Sequence, residues 1–249
     1  MARTFSLSME AWKDARKDSD FKAFAPWLEK VVALCRRKAE CYGVPKATQP
    51  GEETTLYDAL LDEYEPGMTS WRVDRVFAPL RGRLTPLIAA IASARKRPDD
   101  AILKVRAPIE RQIEFNRFVA EVIGYDFREG RLDVSTHPFS ESVAPGDTRM
   151  TTRYAEDHAL DALFTTLHES GHSLYEMGLP KDTRFGQPLA THISLGIHES
   201  QSRMWENFVG RSLPFWRWCL PQATRIMGGG FEPFTAQQAF EAANLVRPH

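Results

Sequence analysis

Two histidines four residues apart flank a glutamate in the segment His168-Glu169-Ser170-Gly171-His172. In a helix, this spacing places both imidazoles on one face, where they can bind a single metal ion. Glu169 would lie beside that face, in position to act as general base on a metal-bound water. The pattern therefore predicts a hydrolytic metal site with His168 and His172 as ligands. The alternative is a pair of surface histidines with no common ligand.

The third protein ligand of such a site has to come from another element. A catalytic zinc ion takes three protein ligands and leaves one coordination position for water. Glu176 is excluded as a ligand because it lies about 12 Å from His168 along the helix axis, at 1.5 Å per residue. Glu199 could return on an antiparallel helix, or could simply interact with the helix dipole and with Arg203. The candidates downstream are His192, His198, Glu199, Glu206 and Glu241.

Helical periodicity dominates the elements that must position these residues. The fold class predicted is mainly α, with a small antiparallel β element near the active site. We expect one domain, 1–249, made of a helical part at 1–125, the β element at 130–154 and a helical metal-binding part at 155–249. Helices are predicted at about 21–43, 56–64, 70–91, 108–123, 156–177 and 193 or 195–208, with another after Thr235 and kinks or a break at Pro79 and Pro86.

The β element is predicted from two alternating segments. Residues 131–136 and 148–154 alternate in polarity, and the second segment is rich in β-branched residues. The turn-forming residues 144–147 lie between them. The pattern predicts a short antiparallel strand pair.

Composition limits the classes of function. The chain of 249 residues is 43% hydrophobic and 26% charged, as in ordinary globular proteins, and its net charge is −1. That charge argues against nucleic-acid binding, which needs a basic face. Three cysteines without a Cys-x-x-Cys spacing favour a reducing compartment, and no apolar segment approaches eighteen residues. We therefore expect a cytoplasmic protein with no membrane partner.

Further motifs follow one another along the chain. They are Tyr57-Asp58-Ala59-Leu60-Leu61-Asp62, Tyr64-Glu65-Pro66-Gly67, His137-Pro138-Phe139, Asp147-Thr148-Arg149-Met150-Thr151 and Gly196-Ile197-His198-Glu199-Ser200-Gln201-Ser202-Arg203. With the two histidines at 168 and 172, this ordered set resembles the Taq-type metallocarboxypeptidases, the thermostable carboxypeptidase 1 family. These are largely helical zinc enzymes that remove residues from peptide C-termini. The resemblance implies a multi-helix, zincin-like metallopeptidase body.

The resemblance also implies a ligand set. His168, His172 and Glu199 would bind zinc, for which cobalt can substitute, and Glu169 would be the general base. The implied function is zinc-dependent hydrolysis of the C-terminal residues of peptides.

Two further catalytic residues are implied at the edge of the substrate groove. His137 would hydrogen-bond a tetrahedral intermediate or a substrate carbonyl, and Arg149 would bind a carboxylate through two hydrogen bonds. Both have structural alternatives. His137 could belong to a turn that ends a strand, and Arg149 could pair with Asp147 or Asp133 to hold a hairpin together.

The resemblance covers nearly all of this chain but only about the middle half of the family's usual length. The family segments expected after residue 249, which are associated with the groove and the substrate carboxylate, are absent from this sequence. One alternative is therefore a truncated, catalytically weak remnant that binds metal and dimerises. Another is a zinc endopeptidase or aminopeptidase with the same ligands. Helices left without partners would expose apolar surface, so we expect a homodimer.

Overall fold

The computed structural model describes residues 1–95 and 97–245. The chain divides into two compact units, Met1–Pro86 and Leu87–His249. Most of the described residues are helical, and one small sheet lies in the second unit. The mainly α fold class is confirmed, whereas a single domain over 1–249 stays a prediction. No helix within the described ranges is long and apolar enough to cross a membrane.

The first unit contains α1 (Ala2–Lys17), α2 (Phe21–Tyr42), α3 (Leu56–Leu61) and most of α4 (Ser70–Ala92). Helix α1, which was not predicted, packs against α2, and α2 packs against α3. The Asp20 carboxylate accepts a hydrogen bond from the Ala23 amide, so α2 begins where the sequence predicts. Helix α4 runs through Pro79 and Pro86 as one element, and a break at either proline is wrong.

Two buried carboxylates hold the loops of the first unit. Glu52 accepts hydrogen bonds from the Thr48 amide at 2.7 Å, the Thr69 hydroxyl at 2.8 Å and Arg72 Nε at 2.9 Å. Asp58, which is fully buried, accepts from the amide of Ser70 at 2.6 Å, close to the start of α4. The Asp58 position in the family motif at 57–62 therefore has a structural role here.

The second unit carries the rest of the fold. Its core lies between four helices, where Phe115, Leu163, Trp216, Ala223 and Ala239 are fully buried. The elements are α5 (Ile109–Val122), β1 (Gly130–Val134), β2 (Ser140–Ala144), β3 (Asp147–Thr152), α6 (Asp161–Met177), α7 (Lys181–Arg184), α8 (Leu195–Arg203), a π-helical turn (Met204–Val209), α9 (Leu213–Met227) and α10 (Ala236–Ala243).

The sheet corrects the predicted strand pairing. Its order is β1-β3-β2, with β1 parallel to β3 and β2 antiparallel to β3. The turn at residues 144–147 joins β2 to β3. Strand β2 was not predicted, because its sequence, Ser140-Glu141-Ser142-Val143-Ala144, contains a single β-branched residue. Strand β1 occupies the other edge of β3, so the antiparallel pairing predicted for residues 131–136 with 148–154 is wrong.

Two helix boundaries also differ from the prediction. Helix α6 begins at Asp161 rather than near Glu156, because the Glu156 carbonyl accepts from Ala107 and the Ala159 amide donates to Val105. Those backbone groups are therefore not available for hydrogen bonds within a helix. Helix α9 was missed, although Ser212 caps it and Pro214 stands in its first turn.

Candidate metal centre

Helices α6 and α8 approach each other closely at Gly171. A Cβ atom at this position would lie 2.5 Å from the carbonyl oxygen of Gln201 and from Cα of Ser202. Only a glycine therefore allows the α8 backbone to lie directly against α6. This contact brings Glu199, near the middle of α8, to the face of α6 that carries the two histidines.

Three donor atoms converge at this contact. His168 Nε2 lies 3.2 Å from His172 Nε2. Glu199 Oε2 lies 3.6 Å from His168 Nε2 and 3.4 Å from His172 Nε2. A tetrahedral ion with metal–donor bonds of about 2.0–2.2 Å requires donors about 3.3–3.6 Å apart. Two edges of the donor triangle fall in this range and the third, at 3.2 Å, lies just below it, so a zinc-sized cation fits with little rearrangement.

A carboxylate on the π-helical turn supports the first histidine. Glu206 Oε2 lies 2.9 Å from His168 Nδ1, the ring nitrogen on the far side from the other donors. Arg203 and Arg211 bind the same carboxylate at 3.0 and 3.1 Å. Burial lowers the pKa of His168, but its hydrogen bond to Glu206 and the neighbouring carboxylates raise it overall. The arrangement fixes the orientation of the His168 ring.

The second histidine has a different partner. His172 Nδ1 lies 2.6 Å from His198 Nδ1, and His198 Nε2 lies 3.0 Å from Glu176 Oε1. His192 Nδ1 lies 3.4 Å from the same Glu176 oxygen. Burial and the neighbouring His198 and His168 lower the pKa of His172 to about 4. His172 is therefore neutral near pH 7, as metal ligation requires.

Glu169 is buried beside the donor triangle. The residue is only 6% exposed, and it lines the groove described below. Burial raises its pKa to about 7, partly opposed by the charges of His168 and His137. A carboxylate with that pKa can exchange a proton near neutral pH.

A groove of about 860 Å³ runs over the donor atoms. Its wall includes the edge strand β2 through Ser140, Glu141 and Ser142, and the hydroxyl groups of Ser140 and Ser173 lie 2.8 Å apart, joining β2 to α6. His137 and Phe139 also line the groove, and His137 Nδ1 lies 2.8 Å from the carbonyl oxygen of Pro138. The structure thus brings His137 to the same groove as Glu169 and the donor triangle.

Arg149 is placed elsewhere. Its side chain lies on the exposed face of β3 and binds Asp147 through two hydrogen bonds of 2.8 and 2.7 Å. It is not among the described residues that line the groove. The observed geometry is the pairing with Asp147 stated above as an alternative, here a contact within β3, and a substrate role for Arg149 stays a prediction that this geometry does not support.

The family model for the carboxypeptidase Taq (M32) metallopeptidases matches residues 1–249. The chain belongs to the M32 metallopeptidase family. It is 45% identical over its whole length to thermostable carboxypeptidase 1 of Thermus thermophilus, of which it covers 48%. The structure of Pyrococcus furiosus carboxypeptidase is 35% identical with a TM-score of 0.85, over 99% of this chain and 48% of that one. The M32 carboxypeptidase of Deinococcus radiodurans R1 is 37% identical with a TM-score of 0.82, over 96% of this chain and 46% of that one.

Membership of the M32 family confirms the resemblance inferred from the sequence motifs. The chain spans about half the length of the curated relatives it matches. The family name implies a divalent metal, and His168, His172 and Glu199 form one group of potential ligands among the described residues.

Sequence reasoning missed the roles of Glu206, His198 and Glu176 around the donor triangle. Glu206 and His198 were considered only as metal ligands, and Glu176 was set aside because of its distance from His168. One signal was available: Glu206 follows Glu199 by seven residues, about two helical turns, so both carboxylates face the same neighbouring helix.

Proposed function

We propose that this chain is a zinc-dependent metallocarboxypeptidase in which His168, His172 and Glu199 bind the metal. The observation that carries the proposal is the triangle of two imidazole nitrogens and one carboxylate oxygen, with edges of 3.2–3.6 Å, at the base of an open groove. Two neutral nitrogens and one carboxylate oxygen are a ligand set suited to zinc. Cobalt has similar preferences and is the expected substitute.

A bound zinc ion supplies Lewis-acid polarisation of the scissile carbonyl and of a water molecule. Glu169 takes a proton from the attacking water and later gives it to the leaving amine. Its burial and its pKa near 7 suit both steps. Glu206 holds the ring of His168, so the donor nitrogen keeps its position during the reaction.

The groove also supports a peptide substrate. Strand β2 lies at an edge of the sheet and borders the groove, and an extended peptide can bind to such an edge through main-chain hydrogen bonds. We infer that His137, which lines the groove, hydrogen-bonds a substrate carbonyl or a tetrahedral intermediate. Cleavage at the C-terminal residue is inferred from the relatives, which are named carboxypeptidases.

The decisive experiment measures release of the terminal amino acid from N-blocked short peptides by the purified chain. Added zinc or cobalt should support release, a chelator should abolish it, and Glu169→Gln should lower kcat at least about 100-fold with metal still bound. Glu110→Gln, an exposed glutamate on α5, is the matched control and should retain activity.

Each contrary outcome has a distinct meaning. Cleavage of peptides blocked at both ends would indicate an endopeptidase, and a requirement for a free N-terminus would indicate an aminopeptidase. Stoichiometric zinc binding without cleavage of any peptide would contradict the proposed activity and leave a metal-binding protein.

A homodimer and a cytoplasmic location complete the proposal, and both rest on the sequence alone.

A further inference from the structure

A second chain of hydrogen bonds leads away from the donor triangle through His172. It runs from His172 Nδ1 to His198 Nδ1, from His198 Nε2 to Glu176 Oε1, and from Glu176 Oε2 to Lys181 Nζ. We propose that His198, Glu176 and Lys181 are positioning residues that hold His172 in the tautomer and orientation required to bind the metal. The proposal rests on the metal function proposed above.

The two facing nitrogens determine the proton positions. His172 Nδ1 and His198 Nδ1 are 2.6 Å apart, so one of them must carry a proton and the other must accept it. His172 directs its Nε2 atom at His168 Nε2 and Glu199 Oε2, which makes Nε2 the unprotonated, metal-facing nitrogen. His172 Nδ1 is therefore the donor, and His198 Nδ1 is the acceptor.

The remaining contacts follow from this assignment. A neutral His198 that accepts at Nδ1 carries its proton at Nε2, which donates to Glu176 Oε1 at 3.0 Å. Lys181 binds the other oxygen of Glu176 and donates to Ser142 on β2 at 2.6 Å. Glu176 and Lys181 are both only 12% exposed, so their positions are set by these partners. The usual carboxylate partner of a metal-binding histidine is here extended by one imidazole.

The same assignment disfavours a second metal ion. Glu176, His192 and His198 also bring three potential ligand atoms within 4.8 Å of one another. A metal on His198 Nε2 would require a proton on His198 Nδ1, facing the proton already on His172 Nδ1 at 2.6 Å. Two protons cannot occupy that gap, so neutral His172 and His198 cannot both bind metal ions through Nε2.

The test measures zinc affinity by competition with a chromophoric chelator. His198→Ala should weaken zinc binding about 10–100-fold, the range found when such supporting partners are removed. His198→Asn, whose amide oxygen can accept from His172 Nδ1, should recover part of that loss. With cobalt bound, His198→Ala should also change the visible absorption spectrum, which a remote structural change would leave alone.

A double-mutant cycle separates positioning from simple structural support. Glu176→Gln should weaken zinc binding about tenfold in the wild-type background and less than about twofold in the His198→Ala background, because it acts through His198. Equal losses in both backgrounds would overturn the proposal. His192→Ala is the matched control, since His192 contacts Glu176 and the edge of the His198 ring but is outside the hydrogen-bonded path to His172, and it should leave zinc affinity unchanged.

The failure of this inference can be told apart from failure of the proposed function. His168→Ala should abolish zinc binding, and if it does not, the proposed ligand set is wrong. If His168→Ala abolishes binding but His198→Ala leaves affinity and spectrum unchanged, only the positioning role is refuted. Two zinc ions per wild-type chain, reduced to one by His192→Ala, would also overturn the inference in favour of a second metal site.

Discussion

The general-base role proposed for Glu169 depends on its burial as well as on its position next to His168. The sequence places it beside the metal-binding face, but a solvated glutamate there would be a weak base near pH 7. In the structure it is 6% exposed and its pKa is raised to about 7. The same side chain is thus ionised often enough to accept a proton and basic enough to hold it.

The pH dependence of hydrolysis should follow from this shift. Glu169 must be ionised to act as the proposed base, so kcat/KM should fall about tenfold per pH unit as the pH drops below its pKa. That pKa is about 7 in the metal-free protein, and a bound cation lowers it, so the acid limb should lie at or below pH 7. A pH–rate profile from pH 4.5 to 9 measures it, with bound metal determined at each pH. An acid limb above pH 7.5 with the metal retained would contradict this role of Glu169.

At the residue scale, the sequence predicts those features that depend on helical spacing alone. The prediction that His168 and His172 share one helical face required only the four-residue interval between them. Glu199 needed knowledge that α8 returns to α6, which the family resemblance supplied and the residues alone did not. The partners Glu206 and His198 depend on side-chain orientation across that contact, and no spacing rule reports it.

At the scale of the elements, Gly171 allows α6 and α8 to pack in direct backbone contact. Replacing it with alanine should add helix propensity but place a methyl group 2.5 Å from the backbone of α8. We expect Gly171→Ala to displace Glu199, to weaken zinc binding at least about 100-fold and to destabilise the protein, because backbone must move. Chelator competition and urea unfolding measure both effects.

Gly82 provides a control of the same kind. It lies inside α4 with open space around its added Cβ, so Gly82→Ala should raise the free energy of unfolding by about 0.5–1 kcal/mol. Zinc affinity should not change in this variant. If Gly171→Ala and Gly82→Ala have the same zinc affinity, the contact at Gly171 does not position Glu199.

The loops of the first unit should respond to acid. Hydrogen bonds from Thr48, Thr69 and Arg72 lower the pKa of Glu52 to about 2, against an ordinary value of 4.5. A carboxylate whose pKa is lowered by folding stabilises the folded state fully when the pH is above its pKa in the unfolded chain. This stabilisation is lost as the pH falls through the pKa of the folded state. Stability contributed by Glu52 should therefore be complete above pH 4.5 and decline towards pH 2.

Glu52→Gln tests this assignment. The variant should be less stable than the wild type at pH 7, and the difference should shrink as the pH is lowered to 3. Urea unfolding followed by circular dichroism at both pH values measures it. A difference that grows at low pH would have the wrong sign and would refute the role of Glu52.

At the element scale, the helices were predictable where polar caps and apolar periodicity agree. Asp20 and Thr69 marked the starts of α2 and α4, and Gly124, with a φ of +108°, follows the end of α5. Strand β2 was not predictable because Ser140, Glu141 and Ser142 have low β propensity. It forms through pairing with β3, and tertiary pairing overrides local preference.

At the scale of the whole molecule, one side of α4 exposes apolar side chains within the first unit. They are Val76, Phe77, Leu80 and Leu84. A helix of this kind in water favours association. We expect the purified chain to self-associate reversibly through this helix.

Leu80→Gln with Leu84→Gln should weaken that association at least about tenfold, because two large apolar contacts are lost. Arg81→Gln with Thr85→Gln, at exposed positions of the same helix, is the matched control and should leave association unchanged. Sedimentation velocity over a range of concentrations measures both. A wild-type chain that stays monomeric at all concentrations would exclude this interface and the predicted homodimer.

The donor atoms of the metal centre all come from the short stretch between His168 and Glu199. Closing so short a segment costs little conformational entropy, and among the described residues the proposed ligand set draws on this segment alone. We therefore expect the three donor atoms to converge as soon as α6 packs against α8. Since availability decides which cation fills such sites, the metal found in the purified protein will reflect the ions present in the producing cell.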